Sequence, residues 1–150
     1  MRTEVIVAGV PTRWYLVDAK DQVLGRLASQ VAAVLKGKNR PTYAPSVTGD
    51  YVIVVNADKI RLTGRKAEQK IYYRHSGYPG GLRATAAGKM MARRPEYVIR
   101  EAVRGMLPKN PLGRECLRKL RIYRGTAHRH AAQQPQPLAV AGRMTKGREA

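Results

Sequence analysis

Apolar positions along the chain fall into two helical stripes and two strand-like runs. Leu24, Leu27, Ala28, Val31, Ala32 and Leu35 recur at the three- and four-residue steps of one helix face. Gly37 offers a C-terminal stop. Lys36, Lys38 and Arg40 cluster at that end, where the helix dipole favours cations. Ahead of this helix, Trp14, Tyr15, Leu16 and Val17 read as a short strand, with Asp18 and Asp21 supplying turn and helix-cap chemistry. Behind it, Tyr51, Val52, Ile53, Val54 and Val55 form a nearly continuous β-branched run, the pattern of a strand covered on both faces. Strand, helix and doubly covered strand predict a right-handed βαβ unit and a three-layer α/β/α fold with a mainly parallel sheet.

Further along, Ile60 to Thr63 and Ile71 to Tyr73 look like short extended pieces joined by a basic turn at Gly64, Arg65 and Lys66. Residues 77–81 hold three glycines and a proline and must be loop. Pro95 opens a second helix, with Val98, Ile99, Ala102, Val103, Met106 and Leu107 as its buried stripe, ended by Pro108 and Pro111. A short helix near 114–120 and a strand near Ile122 and Tyr123 follow. From residue 131 the chain is polar, rich in Pro and Gln, then basic and without periodicity, which reads as an extended tail. The expected organisation is an extension over 1–12, one α/β domain over 13–130 that binds RNA, and a tail over 131–150. A chain of 150 residues suits one domain, and at 43% hydrophobic it has enough apolar sequence for a real core.

Charge changes this picture from a generic α/β domain to one with a specific kind of partner. Twenty-nine Lys and Arg oppose ten Asp and Glu, a formal charge of +19. Residues 1–58 carry only +2 of it, whereas 59–94 carry +9 and 95–150 carry +8. Such a field repels itself in a free compact protein, so a polyanionic partner is the natural explanation. No stretch approaches the ~20 apolar residues of a spanning helix, so no membrane partner is expected. The apolar run at residues 5–10 is too short for a secretory signal, so export is not expected. A lone cysteine, Cys116, suits a reducing cytoplasm.

The enzymatic alternatives lack their constellations. There is no G-x-G-x-x-G, and Gly37-Lys38 and Gly88-Lys89 lack the rest of a P-loop. Thr48-Gly49-Asp50 precedes a strand, where phosphate-cradling turns follow one, so it reads as a turn. Cys116, His75, His128 and His130 lack the paired spacing of a zinc site. No G-x-S-x-G occurs, and the few acids do not suggest a two-carboxylate hydrolase. No cofactor, metal or small-molecule substrate is expected.

Two basic segments remain as candidate RNA contacts, together with Lys36, Lys38 and Arg40 at the end of the first helix. In the first, Arg65, Lys66, Lys70, Arg74 and Arg83 flank Tyr72, Tyr73, His75 and a run of glycines, a setting in which backbone approaches phosphates and rings stack on bases. Alternation places one of Tyr72 and Tyr73 inward and the other free. In the second, Lys109, Arg114, Arg118, Lys119, Arg121 and Arg124, followed by His128, Arg129 and His130, surround the apolar anchors Leu117, Leu120 and Ile122. A basic nucleic-acid-processing enzyme and a DNA-compacting protein are the competing classes. The first lacks catalytic residues, and the second lacks an evident wedge or reading helix.

Several stretches together resemble one family. They are MLPKNPLGR at 106–114, then 120–125 and 128–135, with 14–19, LGRLAS at 24–29, 49–57 and 72–81. The chain resembles, over about 13–138, the family of the thirteenth protein of the large ribosomal subunit in its bacterial form. That resemblance implies a three-layer α/β domain, binding to large-subunit ribosomal RNA and early participation in subunit assembly. It also implies neighbouring large-subunit proteins as partners, a cytoplasmic ribosomal location and no enzymatic activity. Ser46 and Val47 stand where the family usually has an acidic residue before Thr-Gly-Asp, and residues 1–12 and 139–150 lie outside the shared pattern.

Overall fold

The computed structural model describes residues 11–139. Four parallel strands form the main sheet, and two further strands form a separate antiparallel hairpin. In the sheet these are β1 (Trp14–Asp18), β2 (Tyr51–Val55), β5 (Leu120–Ile122) and β6 (Gln136–Pro137), in the order β5-β2-β1-β6. The hairpin is β3 (Ile71–His75) and β4 (Leu82–Ala86). The helices are α1 (Leu24–Leu35), α2 (Lys66–Gln69), α3 (Ala87–Arg93), α4 (Pro95–Met106) and α5 (Pro111–Arg118). The parallel α/β architecture expected from the order of strand, helix and strand is the one observed.

The β2 sequence explains its central place. Val52, Ile53 and Val54 are all fully buried, and the strand is flanked by β1 and β5. Full burial of one such side chain contributes about 1.5–3 kcal/mol relative to exposure. Alternation sends Val52 and Val54 to the face that packs with Val17, Leu27, Val31, Val98, Ile99 and Val103, where α1 and α4 lie against each other. Ile53 points to the other face, in line with Trp14, Tyr51 and Arg121 by register. β6 is an edge strand, and there Pro137, which has no N–H to donate, is tolerated.

Several local expectations are corrected. α1 has Val23 at its N-cap, which supplies no side-chain cap. Asp18 instead accepts from the Lys20 N–H at 2.9 Å and from Asn56 Nδ2 at 2.8 Å. Ile60 to Thr63, read as an extended piece, forms no strand. Arg61 makes a single bridge to Val23, residues 66–69 turn into the short α2, and β3 finds its partner in β4. The β4 sequence, Leu-Arg-Ala-Thr-Ala, carries little β-branched signal, so the glycine loop at 77–81 and not propensity closes this hairpin. Met106 is 47% exposed although it falls on the α4 stripe, because α4 ends there and Leu107 takes the buried place. Pro111 does not merely follow α4. It opens α5 three residues earlier than expected, capped by Asn110, whose Oδ1 accepts from the Gly113 N–H at 2.8 Å. The last strand of the sheet, β6, comes from the stretch read as extended tail.

Candidate nucleic-acid interface

The first basic segment becomes an arm. Arg65, Lys66 and Lys70 bracket α2, Tyr73, Arg74 and His75 lie on β3, and Arg83 lies on β4, and all seven are exposed. Arg74 and Arg83 stand directly opposite each other in the antiparallel register. Like charges in that position cost a free hairpin a few tenths of a kcal/mol or more, on the order of the 0.2–1 kcal/mol of cross-strand pairs. Tyr72 is the inward tyrosine: it meets Tyr97 edge-on at 6.2 Å and packs against the core. Burial, foremost, pushes its hydroxyl pKa up. Tyr73 is 64% exposed, as alternation requires of its neighbour. His75 Nδ1 accepts from the Gly77 N–H at 2.9 Å, which fixes the ring beside the turn.

The cations after α1 have different fates. Lys38 is exposed and Lys36 half-buried. Arg40 turns back on the protein: its Nε donates to Asp50 Oδ2 at 2.8 Å, its Nη2 pairs with Asp50 Oδ1, and Nη2 also donates to the Pro11 carbonyl at 2.9 Å. Asp50 is fully buried and takes a further bond from the Arg13 N–H at 2.7 Å. Gly49 beside it has no room for a side chain, because a Cβ would run into the Val34 carbonyl and the Gly37 nitrogen. Thr48-Gly49-Asp50 is therefore a packed junction between α1 and β2, in keeping with its reading as a turn.

The second basic segment divides in the same way. Lys109, Arg114, Arg118, Arg121, Arg124 and Arg129 are exposed, and Arg114 and Arg118 share one face of α5. Lys119 is held: its Nζ donates to Thr48 Oγ1 at 2.7 Å and to the Gly49 carbonyl at 2.8 Å, and lies 5.3 Å from the Tyr51 ring centre. Burial, the largest cause, lowers its pKa. Lys119, Arg40 and Asp50 thus meet at one junction, a grouping that sequence spacing does not reveal. Arg124 donates to the carbonyls of Ala92 and Arg93 at 3.1 and 3.2 Å, at the C-terminal end of α3.

His128 and His130 are half-buried in an aromatic cluster around Trp14, Tyr51 and Tyr123. Trp14 stacks on Tyr51 at 4.1 Å, His130 lies 5.1 Å from Trp14, and Tyr123 contacts both histidines. Among the described residues no three His, Cys, Asp or Glu side chains come together as a metal site. Also among them, no helix is long and apolar enough to cross a membrane.

Sequence reasoning missed Arg26 and Arg61. With Lys66 and Lys70 they line a cleft of about 630 Å³ whose lining includes a single acid, Glu101. Only the charge excess of residues 59–94 hinted at Arg61, and Arg26 lay hidden as a polar position within the α1 pattern.

Comparison with known proteins decides the family. The family model described as Ribosomal protein L13 matches residues 12–129. The chain belongs to the ribosomal protein L13 family. A protein of Pelobacter propionicus, "Large ribosomal subunit protein uL13", is 59% identical over 142 residues, which is 93% of this chain and all of the relative. The protein of the same name from Symbiobacterium thermophilum is 58% identical over 87% of this chain and 92% of its own length. That from Alteromonas mediterranea is 59% identical over 85% of this chain and 90% of its own. The matched region runs from just before β1 to Arg129, so it spans β1, β2, β5, the hairpin and the arginines of both basic segments, and stops before His130 and β6.

Proposed function

We propose that this chain is a structural, non-catalytic constituent of the large ribosomal subunit in the cytoplasm, that it binds large-subunit ribosomal RNA, and that it acts early in assembly. The observation that carries RNA binding is the hairpin arm, where Arg74 faces Arg83 with Arg65, Lys66 and Lys70 exposed at its base. Arg and Lys neutralise phosphates, and a like-charged pair held in register is favourable only when an anion lies against it. Arg114 and Arg118 on α5 and Arg121 on β5 extend the contact. Arg40 and Lys119, committed to Asp50 and to the 48–49 backbone and hydroxyl, hold the junction that carries them and are positioning residues rather than phosphate contacts.

Rate-zonal sedimentation of a lysate tests this reading. The chain is expected to travel with large subunits and with their early precursors at moderate salt. A pool that stays free, or that travels with the nucleoid, would overturn it and favour a processing enzyme or a DNA-compacting protein.

A further inference from the structure

The hairpin has two chemically different faces, and the one turned away from the body is the apolar one. Tyr72, with its ring against Tyr97, marks the inward side, and by register it shares that side with Arg74, Arg83 and Thr85. Ile71, Tyr73 and His75 share the outward side with Leu82, Ala84 and Ala86. Ile71 is 44% exposed and Leu82 60% exposed, with Tyr73 beside them and Tyr78 at the tip 76% exposed. A soluble domain ordinarily buries such a strip, and a two-stranded hairpin has little stability of its own to keep it in water.

From this we infer that the outward strip of the hairpin is a protein-docking surface, covered in the assembled subunit by an apolar patch of a neighbouring protein with an acidic border. The inference rests on the reading above that the chain is built into the large subunit. Two features favour protein over RNA as the occupant. Four of the six positions on this side, Ile71, Leu82, Ala84 and Ala86, are aliphatic and give no hydrogen bonds to base edges and no rings for stacking, and the rings of Tyr73 and His75 stand among them. The arginines that would grip phosphates are sent by alternation to the opposite side. The acidic border follows from charge: residues 69–95 contain no Asp or Glu, so the rim of the strip is cationic wherever it is charged. The hairpin would then bridge, RNA on one side and protein on the other.

Photo-crosslinking in assembled subunits tests it. p-Benzoylphenylalanine is placed at position 82 in one variant and at position 83 in another, and subunits carrying each full chain are purified and irradiated. At 82 the expected adduct survives ribonuclease, and peptide sequencing places the link among aliphatic residues of a second subunit protein. At 83 the expected adduct is destroyed by ribonuclease. A ribonuclease-sensitive adduct at 82, or none, overturns the proposal while leaving the RNA reading intact. Loss of the RNA adduct at 83, or failure of the parent chain to enter subunits, strikes the RNA reading instead. In parallel, Leu82→Glu with Ile71→Glu is expected to lower incorporation severalfold while affinity for a free ribosomal RNA fragment stays within twofold. Unchanged incorporation would overturn the docking role.

Discussion

Arg40 and Asp50 form an ion pair in which the carboxylate is wholly buried, and they tie the end of α1 to the start of β2. Removing one partner strands the other. Arg40→Ala is expected to cost about 3–5 kcal/mol, as breaking a buried pair does, because Asp50 is left with the Arg13 N–H and the nearby charge of Lys119 but without its ion-pair partner. Arg40→Lys should recover part of the loss, since the charge returns without the fork. Urea unfolding checks both, and a midpoint for Arg40→Ala equal to that of the parent would show that the pair adds no stability.

Core and surface should separate cleanly. Val54→Asp puts a carboxylate into a fully buried position between neighbouring strands and should cost several kcal/mol or abolish folding. Arg118→Ala with Arg121→Ala should each change stability by no more than about 0.5 kcal/mol, yet weaken binding to ribosomal RNA. Circular dichroism melts and filter binding on the same preparations distinguish the two. A double variant that unfolds would mean these arginines belong to the core.

Binding should fall steeply with salt. If ~6–10 phosphates are engaged, affinity drops about 10³–10⁵-fold between 50 and 200 mM salt by the duplex rule. A titration on a large-subunit RNA fragment reads the slope, and Arg74→Ala should lower it by about one phosphate. A flat titration would contradict an electrostatic interface.

The Asp18 carboxylate gives a pH signature. The Asn56 side-chain amide, first, and the Lys20 backbone N–H hold its pKa below the ordinary 3.8. A depressed folded-state pKa means the unfolded chain takes up the proton more readily. The stabilisation is therefore present above the ordinary carboxylate value and is lost as pH falls through the lower folded value. Asp18→Asn should be less stable than the parent near neutral pH, and the difference should shrink as pH falls below the ordinary carboxylate value. A difference in denaturation midpoint that is constant across this range would mean that the substitution acts through packing.

The framework of the fold was legible because α1, α4 and β2 announce themselves locally. Their apolar periods are long, and Val52, Ile53 and Val54 admit almost no reading but a covered strand. The hairpin partner was not legible, because Leu82 to Ala86 pairs through a glycine turn and not through residues that favour strands. β6 was hidden for a related reason: two polar and proline positions join the sheet because β1 offers them an edge, which no local pattern records. Charge gave the two basic segments but could not sort them. Arg40 and Lys119 look like their neighbours in sequence, and only the fold shows that their partners are Asp50, Thr48 and Gly49.

The place of β6 also sets a timetable. β1 is synthesised long before β6; one of its edges is taken by β2, but the other waits for Gln136 and Pro137. At ~5–20 residues per second, that edge stays open for on the order of ten seconds of translation. An open strand edge is a template for pairing with any other extended chain. A product stalled before residue 136 would carry β1 with a raw edge and Leu16 without the backbone bond from Leu138, at 2.8 Å, that closes it. Synthesis of β6 is thus what seals the sheet, and chains that lack it are expected to aggregate more readily than chains that contain it.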